Sequence, residues 1–156
     1  MMTKTGILQQ IQDAKTAHIR WVKRADHLVS GLPVDKDFIP LESTTCAFGQ
    51  WFYHDGVKLR LVPSIDNLIN RIEHHHNDLH DAYMDIYKIF FIMPTKRSLL
   101  QKIFTLNSKH VTPADKEKAK AHFKYLKRSS EELLAVLDIL EEKVKALTYE
   151  ELENIQ

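Results

Sequence analysis

Apolar residues recur at alternating steps of four and three along most of this chain, the spacing of helices that bury one face. The first such segment spans residues 5–30, and a glycine at position 31 ends it. Its inward stripe consists of Ile7, Ile11, Ala14, His18, Trp21, Ala25 and Leu28. A second segment, at about 41–55, contains TTCAFGQWFYHDG and predicts a short helix.

The third segment predicts a helix from near Pro63 and Ser64 to about Met93, where Pro94 stops it. Two histidines stand at positions of this helix where the pattern demands apolar side chains. The stripe consists of Ile65, Leu68, Ile69, Ile72, His76, Leu79, His80, Tyr83, Ile86, Tyr87 and Phe90.

The last helix carries the most regular stripe, and its start is marked by the sequence VTPAD. Thr112 is a good N-cap, Pro113 suits the first helical position, and Asp115 suits the positive end of the helix dipole. The stripe consists of Ala119, Phe123, Leu126, Ser130, Leu133, Leu137, Leu140, Val144 and Leu147.

Four amphipathic segments with short connections predict an all-α protein, an antiparallel four-helix bundle with a short second helix. We expect residues 1–156 to form a single domain, in which 144–156 extend the last helix or form a tail. The segment 95–110 is too apolar for a plain loop. It predicts an extra short helix between the third and fourth helices, which caps the bundle or meets a partner.

Three histidines, His18, His76 and His80, are aimed at the bundle core by periodicity alone. A buried imidazole needs a hydrogen-bond partner, a proton or a metal, and a lone core histidine bonded to a hydroxyl or carbonyl is more common than a ligand. The remaining histidines fall off the stripes and are expected in solvent or at joints. They are His27, His54, His74, His75, His110 and His122.

Cys46 favours a metal site over hydrogen-bonded core histidines, because three imidazole nitrogens and one thiolate form the tetrahedral set that suits zinc. The predicted ligands are His18, Cys46, His76 and His80. Gly49 lies one turn beyond Cys46, where we expect it to let another helix backbone approach. The alternative for Cys46 is an inert buried thiol. For the nearby aromatic residues we expect core packing; these are Trp21, Phe48, Trp51 and Phe52.

Composition excludes several classes of protein. Lys and Arg number 22 against 21 Asp and Glu, so a net charge of +1 gives no basic excess for nucleic acid. The longest apolar runs are too short to insert into a membrane as a helix. A single cysteine and the lack of a secretory leader pattern favour a reducing, cytoplasmic setting.

At this point the residues resemble a known family, the chemoreceptor zinc-binding domain (CZB). The resemblance rests on AHIRWV in the first helix, CAFGQW in the second and HNDLH in the third, in that order. It covers about residues 5–143, and the combination is specific although each part alone is not. No output module accompanies these motifs, and the 95–110 segment is longer than the usual joint.

The resemblance implies a zinc-binding sensory domain of bacterial signalling and chemotaxis, often a homodimer attached to chemoreceptors or diguanylate cyclases. It implies the same four ligands, with Zn²⁺ as cofactor and Cys46 as a sensor of oxidants such as hypochlorous acid. A closed site has no open position for water, so we expect no enzyme activity. Asp78 or Asp81 is expected to orient the imidazoles.

Two other interpretations stay open. Glu73-x-x-His76 is half of the pattern of a di-iron or hemerythrin-like bundle, but the chain has no second copy. A helical dimerisation or scaffold protein with purely structural zinc is the second alternative. In that case the stripe of the last helix, which reaches Leu147, would pair with its symmetry mate.

Overall fold

The computed structural model describes residues 1–92 and 111–156, which are helices joined by turns, with no strand among them. The α-helices are α1 (Lys4–Val29), α2 (Ala47–His54), α3 (Asp66–Tyr87), α4 (Pro113–Lys145) and α5 (Tyr149–Asn154). A 3-10 helix spans Gly56–Leu61, and a π-helical turn, Lys88–Ile92, follows α3. The predicted all-α class is confirmed, and the arrangement is that of a helical bundle.

Some predictions lie outside the described residues: the extra helix at 95–110, the stop of the third helix at Met93 and Pro94, and the position of His110. Within the described ranges, no helix has both the length and the apolar content needed to span a membrane.

The ends of α1 follow from local chemistry. The Thr3 side chain accepts a hydrogen bond from the Gly6 backbone N–H at 3.0 Å, which caps the first turn. At the other end Gly31 adopts a φ of 86°, a conformation that favours glycine. The backbone N–H of Leu32 then reaches His27 O at 2.9 Å and satisfies a carbonyl of the last turn.

The core lies where α3 and α1 pack against α4. The predicted stripe of α4 is buried within the single chain, apart from the half-buried Phe123. That stripe is therefore not free to form the dimer seam that the scaffold interpretation requires. The predicted start of α4 is confirmed, since Thr112 Oγ1 accepts from Asp115 N at 3.1 Å and Pro113 is the first helical residue.

The second helix is shorter than predicted. Residues 41–46 form turns and bends, and α2 begins only at Ala47 because Cys46 has extended backbone angles and caps it. The tail also differs from the prediction, because α4 ends at Lys145 and a separate short helix follows it. Thr148 and Glu151 form a capping box that starts α5, and the following Ile155 is only 1% exposed.

Candidate metal centre

Four predicted ligands meet in the core. His18 comes from α1, Cys46 from the N-cap of α2, and His76 and His80 from successive turns of α3. One potential ligand atom from each lies within 4.8 Å of all the others. None of the four residues is more than 1% exposed. Helical phase in the sequence therefore placed the three histidines on the correct faces.

Backbone carbonyls fix the orientation of two of the imidazoles. His18 Nδ1 donates to Ala14 O at 2.6 Å, and His80 Nδ1 donates to Pro40 O at 3.0 Å. Each ring therefore keeps its lone pair on Nε2. Both Nε2 atoms are buried without a hydrogen-bond partner among the described residues. Such unpaired nitrogens are costly in a core unless a further group binds them.

His76 contacts the sulfur directly. Its Nε2 is 3.3 Å from Cys46 Sγ, and its ring centroid is 5.1 Å from that of His18 and 4.8 Å from that of His80. His76 Nδ1 is buried and has no partner in the described part of the chain. The ring is thus positioned by its contact with Cys46 Sγ and by packing against neighbouring rings, including Phe48 at a centroid distance of 5.1 Å.

Burial keeps the three imidazoles neutral, which is the form that binds metal. Loss of solvation lowers the pKa of His18 to about 4 and that of His76 to about 2. The neighbouring imidazoles lower both pKa values further, while the Ala14 carbonyl partly raises that of His18. Burial also lowers the pKa of His80.

The cysteine is held at the start of α2. Its Sγ accepts a hydrogen bond from Gly49 N at 3.2 Å, as an N-cap side chain does, and lies 3.4 Å from Ser43 O. Burial raises the pKa of the Cys46 thiol, and the backbone N–H groups of Gly49 and Phe48 oppose that rise. A bound cation would favour the thiolate further.

Gly49 is needed for a different reason from the predicted one. A Cβ built on it would lie 1.7 Å from Ser43 O and 3.3 Å from Thr44 Cα. The backbone that approaches Gly49 is therefore the turn that precedes Cys46, not another helix. This close contact brings the turn back over α2, and it positions the sulfur.

Zinc fits this donor set. Zn²⁺ prefers nitrogen and sulfur ligands with bonds of about 2.0–2.3 Å, which in a tetrahedron leaves donor atoms roughly 3.3–3.7 Å apart. The Sγ–Nε2 separation of 3.3 Å between Cys46 and His76 matches that value. The unpaired Nε2 atoms of His18 and His80 are the further donors that such a site requires.

In the described part of the chain, no hydrogen bond joins either predicted orienting carboxylate to an imidazole of the centre. Asp78 accepts a hydrogen bond from Tyr125 at 2.9 Å, and Asp81 is exposed. Backbone carbonyls take that role instead. Ala14 O could have been anticipated, since it lies four residues before His18 on the same helix. The contact of the Pro40 carbonyl with His80 could not be predicted from the sequence, because a loop brings together two residues that are 40 positions apart.

The predicted aromatic packing is present around the centre. The Trp21 ring packs edge-on against His18 and His80 at centroid distances of 4.6 and 5.5 Å. Trp51 packs on Phe48 at 5.8 Å and, with Trp21, lines a cleft of about 460 Å³ between α1 and α2. The cleft lies just outside the aromatic wall of the metal centre.

The histidines predicted to lie off the stripes differ in their exposure. His54 and His74 are exposed, with 81% and 69% of their side chains accessible. His27 and His122 are half-buried. His75 departs from the prediction: its side chain is only 16% exposed, because it points toward Glu132 on α4.

Comparison with protein families matches residues 18–87 to the family described as chemoreceptor zinc-binding domain. The matched range begins at His18 and contains all four predicted ligands. Comparisons with curated proteins and with solved structures give no significant match.

Proposed function

We propose that this protein is a zinc-dependent regulatory domain with Cys46 as a thiol switch, on the premise that residues 18–87 match the chemoreceptor zinc-binding domain family. The observation that carries the proposal is the double role of one sulfur atom. Cys46 Sγ lies among three buried imidazoles, and it also caps the first turn of α2. A change at the sulfur therefore acts on a helix.

Zinc in this centre would hold Cys46 as a thiolate and tie the start of α2 to α1 and α3. Without that tie, Cys46 remains a buried thiol whose S–H can donate to Ser43 O. The N-cap of α2 and the Ser43 turn are then free to shift together. The rest of the bundle keeps its own apolar core, so we expect a local change rather than unfolding.

Oxidation of Cys46 provides the second input. The thiolate attacks a peroxide, an S–O bond forms, the O–O bond breaks, and the leaving hydroxide takes a proton to become water. Sulfur is oxidised by two electrons to a sulfenic acid, which a cellular thiol reduces again. Ala47 and Phe48, the residues after Cys46, line the 460 Å³ cleft, which offers a small oxidant an approach.

The free energy of zinc binding is large enough to drive a conformational switch. Moving a two-state equilibrium from 1:99 to 99:1 takes about 5.5 kcal/mol of differential binding. Structural zinc sites supply roughly 10–16 kcal/mol in small peptides. Loss of one of four ligands therefore needs to remove only part of the binding energy to release α2.

Treatment of the zinc-loaded protein with stoichiometric peroxide or hypochlorite tests the proposal. We expect zinc in the filtrate, little loss of helical circular dichroism, and recovery of zinc binding after dithiothreitol, which reduces a sulfenic acid but not methionine sulfoxide. A Trp51→Phe variant leaves Trp21, beside His18, as the single tryptophan, whose fluorescence reports on the centre. Unchanged zinc occupancy would refute the switch and leave a structural zinc.

The alternative interpretations gain less support. For a di-iron centre, Glu73 would have to face the core, but it pairs with Arg60 at 3.2 Å near the surface. The buried four-residue cluster contains no carboxylate. We propose that the centre is not catalytic, because the four side chains can complete a closed tetrahedral set.

We further propose a cytoplasmic homodimer that acts on a signalling protein of the chemoreceptor or diguanylate cyclase type. The cytoplasmic location is supported by the switch itself, which needs a reduced thiol. The class of partner is supported by the resemblance to the family. Light scattering on the purified protein tests the dimer. A monomer at all concentrations would contradict it.

A further inference from the structure

A second group of metal-binding side chains lies on the outer face of α3, beside the buried centre. His74, His75 and Asp78 each place a ligand atom within 4.8 Å of the other two. His74 and Asp78 stand one turn apart, with Nε2 and Oδ2 separated by 3.4 Å. Across the groove, Glu132 of α4 places Oε2 at 3.3 Å from His75 Nδ1. Three candidate ligands therefore converge on α3, and Glu132 of α4 lies beside one of them, His75.

We propose that His74, His75 and Asp78 are the ligands of a second, solvent-accessible site for a divalent transition metal, and that Glu132 is a nearby negative charge that favours a cation there. His75 Nδ1 is shielded from solvent and makes no hydrogen bond to any residue in the described ranges, although it faces Glu132. Asp78 is held in place by the hydroxyl of Tyr125, which donates to Oδ2 at 2.9 Å.

The donor types select the metal. Two imidazole nitrogens and carboxylate oxygens suit Zn²⁺, Ni²⁺ and Cu²⁺, whereas Mg²⁺ and Ca²⁺ prefer oxygen donors alone. The site has no thiolate, and His74 is largely exposed. It therefore binds zinc more weakly than the buried centre and keeps a position for water. Because His75 and His76 are adjacent on α3, the two sites share one helix.

Other histidines of the described chain provide matched comparisons. His122 lies 3.6 Å from Asp85 and, like His75, joins α3 to α4 through a carboxylate. No second histidine joins that pair, and among the described residues it belongs to no three-ligand group. A His122→Gln variant therefore removes a cross-helix histidine without touching the proposed site.

Titration of the full chain with ZnCl₂, followed by calorimetry and equilibrium dialysis, tests this inference. We expect two equivalents, one tight and one weaker. The His74→Gln/His75→Gln variant should lose the weaker equivalent and keep the tight one, and His122→Gln should keep both. His74→Gln alone, at an exposed side chain that cannot disturb folding, should weaken the second equivalent at least about tenfold.

A Cys46→Ser variant separates this inference from the proposed switch. It should lose the tight equivalent and keep the weaker one. A single equivalent in the unmodified protein would overturn the second site. So would a weaker equivalent that survives the double substitution, or one that His122→Gln abolishes equally.

Discussion

Gly49→Ala should weaken zinc binding although the substituted residue is not a ligand. The added methyl would lie 1.7 Å from Ser43 O, and an ordinary carbon–oxygen contact requires a separation well above 3 Å. The obstructing atom is backbone, so no side-chain rotation relieves the clash. Either α2 or the Ser43 turn must move by more than 1 Å, and Cys46 lies between them.

The size of the effect follows from opposing contributions. Alanine in place of glycine within a helix favours folding by up to about 1 kcal/mol. Overpacking costs typically 1–3 kcal/mol, and loss of the Cys46 cap costs about 1 kcal/mol. We expect a net loss of about 1–3 kcal/mol, which lowers Tm by about 2–4 °C for each kcal/mol in a chain of this size. Displacement of the sulfur should lower zinc affinity about 10–100-fold.

Zinc competition with a chromogenic chelator measures the affinity, and urea unfolding of the metal-free protein measures the stability. Gly6→Ala is the matched control, because its Cβ would meet only Thr3 Oγ1, a side-chain atom at 3.0 Å. That variant should bind zinc normally. If Gly49→Ala behaved like Gly6→Ala in both assays, the argument that the Ser43 turn positions the sulfur would be refuted.

Three further predictions concern charge and capping. The stability of the metal-free protein should fall as the pH drops from 6.5 toward 4, because His18 takes up a proton near pH 6.5 in the unfolded chain but only near pH 4 in the folded protein. The loss from His18 should be about 3 kcal/mol, measured by urea unfolding at each pH. Cys46→Ser and Cys46→Ala should both weaken zinc binding sharply, but only alanine should also lose the α2 cap, which costs the metal-free protein about 1 kcal/mol. Lys145 and Lys15 lower the pKa of Glu141 to about 2, so Glu141→Gln should reduce stability at neutral pH. The stability curves of the two proteins should converge as the pH falls from 4.5 toward 2, and equal stability at neutral pH would contradict this prediction.

Regular periodicity in the sequence determined the long helices and the faces they bury. His18, His76 and His80 could be assigned inward because residues on one helix face recur every three or four positions, and covalent geometry enforces that spacing. The N-cap at Thr112 was equally local, because a cap depends on residues within one turn. Cys46 was added to the predicted ligands because a thiolate is a good ligand for zinc, not because of its spacing.

Only the tertiary structure decided how the centre is supported. Pro40 O reaches His80 across a loop, and the Ser43 turn folds back onto Gly49; neither contact has a periodic signal in the sequence. The partners of His75 and Asp78 were decided in the same way, by the packing of α4 on α3. Helical phase fixes the direction in which a side chain leaves its own helix, but the neighbour that it meets depends on how separate segments pack in three dimensions.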